Sequence, residues 1–316
     1  ETFWRGVKKL ATHYKSRSAD WTSLEQVFSQ ESGKDLRWFF AQWIEQSGAP
    51  VISLGDVTTS RLPSEATGER WELTTQIRQA SRPFRVALPL EITMNDKTES
   101  RWITIDGADT SVKLQLPDRP LRVRLDPEWM TFRRVGREQL PPMLNLYVTD
   151  SHRGVMPAFT DSTSPLQQVL ARITGQEAPL PSEQKAVQLS ADAAALPSSG
   201  SVLILATGDR QAVVRSLIEE SCDSRFTLHD GGFEIGERRY DGPTWAVLFS
   251  CHRTKAPGSV ITVFYGVTPE AVTKVARLLF YYGWHSAVVF RDGAVERRDV
   301  WEPVSDTKEV EVHGNQ

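Results

Sequence analysis

The spacing of the hydrophobic residues changes twice along this chain of 316 residues, and these changes constrain its fold more than any other feature. Over residues 1–48 hydrophobic residues recur at helical spacing. Over residues 51–137 they alternate with polar residues, as in half-buried strands. Over residues 140–303 strand patterns and helix patterns follow each other in turn. The sequence therefore predicts a multidomain α+β protein with a short helical segment, an all-β domain and an α/β domain, followed by a frayed polar tail at residues 304–316.

The helical segment carries more aromatic side chains than three short helices can bury. A capping box at Thr22–Glu25 begins its second helix, and Ser32-Gly33 ends it. The third helix spans residues 34–46 and presents a wide hydrophobic stripe formed by Leu36, Phe39, Phe40, Trp43 and Ile44. We therefore expect residues 1–48 to be the helical end of a truncated domain, cut from a longer protein. A processed mature N-terminus is the alternative.

Residues 51–137 predict a small immunoglobulin-like β-sandwich. Trp71 to Gln79 alternates apolar and polar residues, and Leu121 to Leu125 places Leu and Val on one face and Arg on the other. Further strands are predicted at residues 84–92, 101–105 and 112–116. Turn residues separate the strands at the intervals of a sandwich, among them Thr67-Gly68, Asp106-Gly107 and Pro117-Asp118.

Residues 140–303 predict an α/β domain with helices packed on a mixed sheet. The main predicted strands are residues 144–148, 201–206, 244–250, 259–265 and 286–290, and the predicted helices are residues 165–173, 211–220 and 269–282. A hairpin is predicted at Asp230-Gly231. Thr268 and Pro269 supply a cap and a first-turn proline for the last helix.

Composition and charge exclude several classes of protein. Hydrophobic residues make up 40% of the chain and charged residues 24%, which is typical of a globular protein and excludes a disordered, collagen-like or coiled-coil chain. The net charge of -3 provides no overall field for nucleic acid or an anionic membrane. The longest apolar stretch, residues 278–290, is too short to span a bilayer. We therefore expect no nucleic-acid partner and no membrane span.

Motifs of catalysis and metal binding are missing from the sequence. It contains no H-E-x-x-H, no C-x-x-C and no G-x-S-x-G. Cys251-His252 is a close pair of possible metal ligands, but adjacent strand residues point to opposite faces, so a buried cysteine beside a strand-end histidine is the better interpretation. Cys222 and Cys251 are the two cysteines, and the sequence leaves open whether they pair. The chain is therefore predicted to hold no catalytic residue, no metal ligand and no cofactor.

Two strand-to-helix turns are weak candidates for a ligand crevice. Gly208 and Asp209 follow one predicted strand, and Gly266 and Thr268 follow another. The carboxyl edge of a sheet is where α/β domains bind ligands. Asp209 would repel a phosphate and favours a plain helix cap, whereas the turn at Gly266 carries no acid.

A set of spaced residues in the segment 31–50 resembles a known motif. Its members are Gly33, Asp35, Leu36, Phe39, Phe40, Trp43, Gly48 and Pro50. This pattern is similar to the stretch that ends the catalytic domain in the aminopeptidase N family of gluzincin zinc metallopeptidases. The following domain also resembles that family's β-sandwich, through Trp71-Glu72-Leu73 with Gln76, Pro83-Phe84 with Leu88-Pro89, and Leu125-Asp126-Pro127. The resemblance covers about residues 1–135.

The resemblance implies a bacterial-type parent protein that hydrolyses N-terminal residues of peptides with zinc-activated water. The family's zinc ligands, general base, substrate-amine motif and transition-state tyrosine all lie upstream of the helices that match residues 1–48, and none can be placed on this sequence. The chain would be the C-terminal, non-catalytic part, inactive alone, with the upstream catalytic domain of the same polypeptide as its partner. The family's large helical C-terminal domain is not what residues 140–303 predict, so its role in gating is not carried over.

Two other hypotheses remain open from the sequence. The chain could be a stand-alone binding or scaffolding protein made of a β-sandwich and an α/β domain. Alternatively, the α/β domain could have its own ligand site at Gly208 and Gly266. The compartment is also open, since the sequence fits the cytoplasm as well as a periplasmic or secreted location.

Overall fold

The computed structural model describes residues 1–63, 70–80, 82–95, 97–161, 163–176, 185–190, 196–219, 222, 225–302 and 306–312. Over these residues the protein is a mixed α+β structure with seven α-helices and several sheets, and strands predominate. The chain divides into two compact units. Unit 1 consists of Glu1–Arg134 with Lys308–Gln316, and unit 2 consists of Val135–Thr307.

Unit 1 begins with the predicted helices: α1 (Thr2–His13), α2 (Trp21–Ser32) and α3 (Arg37–Phe40), which continues as a π-helical turn (Ala41–Glu45). Asp20 rather than Thr22 caps α2, because its Oδ1 accepts a hydrogen bond from Ser23 N at 2.8 Å. The predicted capping box was therefore placed two residues too late. Gly33 ends α2 with a φ of 66°, as predicted from its freedom to adopt this conformation.

The β region of unit 1 forms two sheets around one hydrophobic core. Its strands are β1 (Val51–Leu62), β2 (Arg70–Ala80), β3 (Val86–Met94), β4 (Thr98–Ile105), β5 (Asp109–Leu116) and β6 (Pro120–Leu125). One sheet contains β1-β2-β5 and the other β6-β3-β4. Leu73 and Ile77 from the first sheet and Leu90 and Ile92 from the second are fully buried in the same core. The predicted period-two strands are thus confirmed as strands, but the face predicted for β6 was wrong at Leu121, which is 37% exposed because the register with β3 shifts beside it. The turn predicted at Thr67-Gly68 lies outside the described residues.

Unit 2 contains α4 (Leu144–Val148), α5 (Pro165–Thr174), α6 (Gln211–Glu219) and α7 (Pro269–Val275). Its strands are β7 (Gly154–Ala158), β8 (Val187–Gln188), β9 (Val202–Thr207), β10 (Phe226–His229), β11 (Gly232–Ile235), β12 (Arg238–Asp241), β13 (Trp245–His252), β14 (Val260–Gly266), β15 (Ala287–Arg291) and β16 (Ala294–Asp299). Seven strands form a mixed sheet in the order β16-β15-β13-β14-β9-β7-β8, in which β8, β7, β9 and β14 are parallel. The hairpin predicted at Asp230-Gly231 belongs to a separate antiparallel sheet, β10-β11-β12.

Alternating side chains of the mixed sheet lie in two separate hydrophobic cores, one on each face. Leu203 and Leu205 of β9 pack in a core with residues of α4, α5 and α7, whereas Val202, Ile204 and Ala206 pack in a core with residues of α6 and β10–β12. Both faces of the sheet are covered, which explains why its strands are nearly continuous hydrophobic runs.

Two predictions for unit 2 were wrong. Residues 144–148 form a helix rather than a strand, because a five-residue apolar run has the same hydrophobicity in either buried structure. The last helix ends at Val275 instead of residue 282 and is followed by a 3-10 turn, Ala276–Leu278. The chain then turns against α4, since Gly283 O accepts a hydrogen bond from Asn145 N at 3.0 Å.

The C-terminal segment returns to unit 1 as β17 (Thr307–Glu309) and β18 (Glu311–Val312), which lie beside β6 and β1. Val310 is buried in the core of unit 1, and its N donates to Leu121 O at 2.9 Å. The prediction of a frayed tail was therefore wrong for residues 307–312, because Val310, with polar neighbours on both sides, anchors the segment in the core. None of the described helices is long and apolar enough to cross a membrane.

Candidate functional site

The four residues predicted as ligand-crevice candidates lie at one edge of the unit 2 sheet. β9 and β14 are neighbouring parallel strands, and Thr207 is the register partner of Gly266. A 3-10 turn, Gly208–Arg210, and then α6 follow β9, whereas Thr268 and α7 follow β14. The structure therefore brings Gly208, Asp209, Gly266 and Thr268 to the carboxyl ends of adjacent strands, the place where sheets of this kind bind ligands.

The two glycines are required by close packing of the chain itself. A Cβ atom on Gly208 would lie 2.3 Å from Val267 O, and one on Gly266 would lie 2.1 Å from Val272 Cγ2. Any larger residue would displace the backbone of the second turn or the side chain of α7. These faces of the glycines are occupied by the protein.

Thr268 is a helix cap, as predicted. Its Oγ1 accepts a hydrogen bond from Ala271 N at 3.3 Å and donates to Pro243 O at 2.9 Å. The hydroxyl thus satisfies one of the free N–H groups of α7 and fixes the loop before β13.

Asp209 joins the loops that follow two strands, which the interpretation as a plain cap did not include. Its Oδ2 accepts hydrogen bonds from Thr160 N at 3.0 Å and Thr160 Oγ1 at 2.5 Å, and its Oδ1 accepts one from Thr207 Oγ1. Partial burial opposes ionisation, but the hydrogen bonds from Thr160 and Thr207 outweigh it and hold the pKa of Asp209 below its usual range. The side chain is an exposed, ionised carboxylate at neutral pH.

Sequence reasoning missed three side chains beside these turns. Tyr265, fully buried on β14, donates from its hydroxyl to Gln211 Oε1 at 3.4 Å, and Gln211 Nε2 donates to His229 O. The Nδ1 atom of His229 lies 3.6 Å from Asp241 Oδ1. We call Asp209, Gln211, His229 and Tyr265 the edge cluster. Hydrophobic periodicity could not find it, because it depends on a hairpin folding back over the start of α6.

The edge cluster is better suited to hydrogen bonding than to proton transfer. Burial raises the pKa of Tyr265 to about 12, so its hydroxyl remains protonated at neutral pH. Asp209 remains ionised, and its oxygens already accept hydrogen bonds from two threonines. Over the described residues, His229 Nε2 is buried without a hydrogen-bond partner. Within the edge cluster, His229 Nε2 is therefore the polar atom that could still form a hydrogen bond.

The cysteines form a disulfide, which settles the pairing that the sequence left open. Cys222 follows α6 and Cys251 lies near the end of β13. His252, next to Cys251, places its Nε2 at 2.8 Å from Leu140 O. In the part of the chain that the structure describes, no group of three or more His, Cys, Asp or Glu residues is arranged to hold a metal ion.

Comparison with known proteins gives no further assignment: the models of protein families include none that matches this chain, and no curated protein is significantly similar to it.

Proposed function

We propose that this chain is the C-terminal, non-catalytic part of a zinc-dependent aminopeptidase of the aminopeptidase N family. Its parent would hydrolyse N-terminal residues of peptides with zinc-activated water. In this proposal α1–α3 complete the catalytic domain, the two sheets of unit 1 are its immunoglobulin-like sandwich, and unit 2 is an α/β accessory domain. The observation that carries the proposal is the motif of residues 31–50 together with the unburied aromatic side chains around it.

The motif segment is attached to the β region through defined contacts, which supports its role as the end of a domain. The ring of Trp43 lies 5.3 Å from that of Phe84 and 5.8 Å from that of Phe132. Gln42 pairs with the backbone of Arg85, donating from Nε2 to the carbonyl at 3.0 Å and accepting from the N–H at 2.6 Å. Trp43, one of the motif residues, therefore faces the sheets.

The rest of the helical segment leaves large apolar side chains uncovered. Trp4, Phe3 and Trp21 are 67%, 61% and 58% exposed. Trp38 and Phe39 of α3 are also exposed. The rings of Phe3 and Trp4 lie 5.4 Å apart and those of Trp38 and Phe39 lie 5.8 Å apart. Exposed apolar side chains that lie together indicate a surface that contacts another part of a protein. An upstream catalytic domain of the same polypeptide would supply the missing cover.

A paired assay tests the proposal on this chain and on the full open reading frame that contains it. Both proteins would be assayed for aminopeptidase activity and for bound zinc. We expect the longer protein to bind about one zinc ion per chain, as one catalytic site of this kind does, and to cleave substrate, while the 316-residue chain does neither. Activity of the short chain alone, or a reading frame without a catalytic half, would refute the proposal.

A second candidate function is a ligand site in unit 2, and the edge cluster favours it. In this candidate His229 Nε2, which has no hydrogen-bond partner among the described residues, would bind a polar ligand at the carboxyl edge of the sheet. The stand-alone scaffolding hypothesis explains the exposed aromatic side chains as well as the first proposal does. Only the reading-frame test separates those two, because both predict an inactive short chain.

A further inference from the structure

A groove between α5 and α7 in unit 2 has the size of a small-ligand site. Its volume is about 450 Å³, within the range of roughly 300–1,000 Å³ that is common for ligand pockets. Its walls are helical faces, formed by Pro165, Gln168, Val169 and Arg172 on one side and by Thr273, Lys274, Ala276 and Arg277 on the other. The α5 residues are spaced so that they share one face of the helix.

The floor of the groove is apolar and its rim is cationic. Val169 and Ala276 are buried, whereas Arg172, Lys274 and Arg277 are exposed. A ligand in the groove would therefore place its apolar part on the floor and its polar part at the rim.

The rim carries more positive charge than the described acidic residues neutralise. Lys274 Nζ lies 3.2 Å from Asp292 Oδ1. Arg172 is held over the ring of Phe280, with its guanidinium carbon 5.5 Å from the ring centroid. Among the residues that the structure describes, neither Arg172 nor Arg277 forms an ion pair. Three cations and one carboxylate leave two positive charges at this groove, in a chain whose net charge is -3.

We propose that this groove binds a phosphate monoester attached to a small apolar or aromatic body. The dianion of a phosphate monoester matches the two unneutralised charges. The guanidinium groups of Arg172 and Arg277 present planar pairs of N–H donors, which suit the oxygen atoms of a phosphate. The apolar body would rest on Val169 and Ala276. This inference concerns unit 2 alone and does not depend on the peptidase proposal.

Calorimetric titration of the full chain with phenyl phosphate tests the inference. The titration is run at about pH 8, because the second pKa of a phosphate monoester is about 6. We expect saturable binding of one phenyl phosphate per chain. Inorganic phosphate lacks the apolar body, benzoate lacks the second charge and benzyl alcohol lacks any charge, so all three should bind more weakly. Equal binding of benzoate would overturn the assignment to phosphate.

Three variants distinguish the groove from general surface charge. Arg277→Gln should weaken binding about tenfold, as expected for one lost charge-assisted hydrogen bond. Gln168→Trp should weaken it by filling the groove without changing the charge. Arg298→Gln is the matched control, because this exposed arginine on β16 makes the same charge change outside the groove. Circular dichroism verifies that each variant is folded. The inference is refuted by the absence of saturable binding, or by an Arg298→Gln effect as large as that of Arg277→Gln.

Discussion

The buried ion pair between Asp126 and Arg133 should determine much of the stability of unit 1. Their side chains are 0% and 2% exposed, and Arg133 Nε lies 3.3 Å from Asp126 Oδ2. The same carboxylate accepts hydrogen bonds from Met130 N at 2.8 Å and from Thr131 N at 3.2 Å. Asp126 belongs to the Leu-Asp-Pro motif noted in the sequence, and the structure gives this motif a physical role: it organises the chain that follows β6.

Asp126→Ala would leave the Arg133 charge buried without its carboxylate. Removing one partner of a buried pair costs about 3–5 kcal/mol. Asp126→Asn keeps the shape and part of the hydrogen bonding, so its cost should be smaller. The matched control is Asp109→Ala, which breaks the exposed pair with Arg78 at 3.5 Å and should cost less than about 1 kcal/mol.

Hydrogen exchange with peptide resolution is the appropriate assay, because a chain of two units need not unfold in one step. In Asp126→Ala, the free energy of opening measured at the amides of β3 and β6 should fall by about 3–5 kcal/mol. The exchange of peptides from β9 and β14 in unit 2 should remain unchanged. The reasoning fails if Asp126→Ala and Asp109→Ala have equal effects, or if unit 2 loses protection to the same extent.

Three further predictions concern unit 2. Replacing Cys222 and Cys251 by Ser should lower its free energy of unfolding by about 3–4 kcal/mol in the chain-entropy account, for a sequence separation of 29 residues; denaturation of oxidised and reduced protein checks this, and equal midpoints would contradict it. Gly266→Ala should lower the stability of unit 2 by about 1–3 kcal/mol through overpacking. As a control in unit 1, Gly107→Ala, whose new Cβ would lie 3.6 Å from the nearest atom, should leave the stability of that unit nearly unchanged in the same denaturation assay. The pKa of Asp209 is lowered in the folded state, so the ionised side chain stabilises the fold above its unfolded pKa of about 4. This contribution is lost as the pH falls through the lower folded pKa. In denaturation curves recorded at a series of pH values, the difference in stability between wild type and Asp209→Asn should therefore shrink over that range.

The sequence predicted the elements whose pattern is local. β2 alternates regularly, and α5 follows a Ser-Pro start and ends at Gly175, so each could be identified without knowledge of its neighbours. Residues 144–148 could not be assigned correctly, because their helix depends on packing against a turn more than a hundred residues away. The same limit applied to Val310, whose anchoring role depends on a core formed by strands far earlier in the chain.

The candidate site was predictable only in part, for a related reason. Gly208 and Gly266 could be placed at one sheet edge because both follow predicted strands. In the sequence, Tyr265 has the pattern of any residue in a buried strand, and His229 has the pattern of a residue beside a hairpin turn. Their proximity arises from the β10–β12 sheet packing over the same core as α6, an arrangement that no periodicity encodes.

The return of the C-terminal segment makes unit 2 an insertion in the chain of unit 1, and this predicts the outcome of truncation. A chain ending at Arg134 lacks β17 and β18, so β6 and β1 each lose one of their two neighbouring strands and the core loses Val310. Burial of one valine contributes about 1.5–3 kcal/mol, and the lost strand pairing adds to this. A chain in which residues 308–316 are rejoined to Arg134 by a long Gly/Ser linker should recover most of the lost stability, and the same linked chain with Val310→Asp should not. Urea denaturation of the three proteins measures this. Equal stability of all three would show that the segment adds nothing to unit 1 and that the strand pairing at its edge is dispensable.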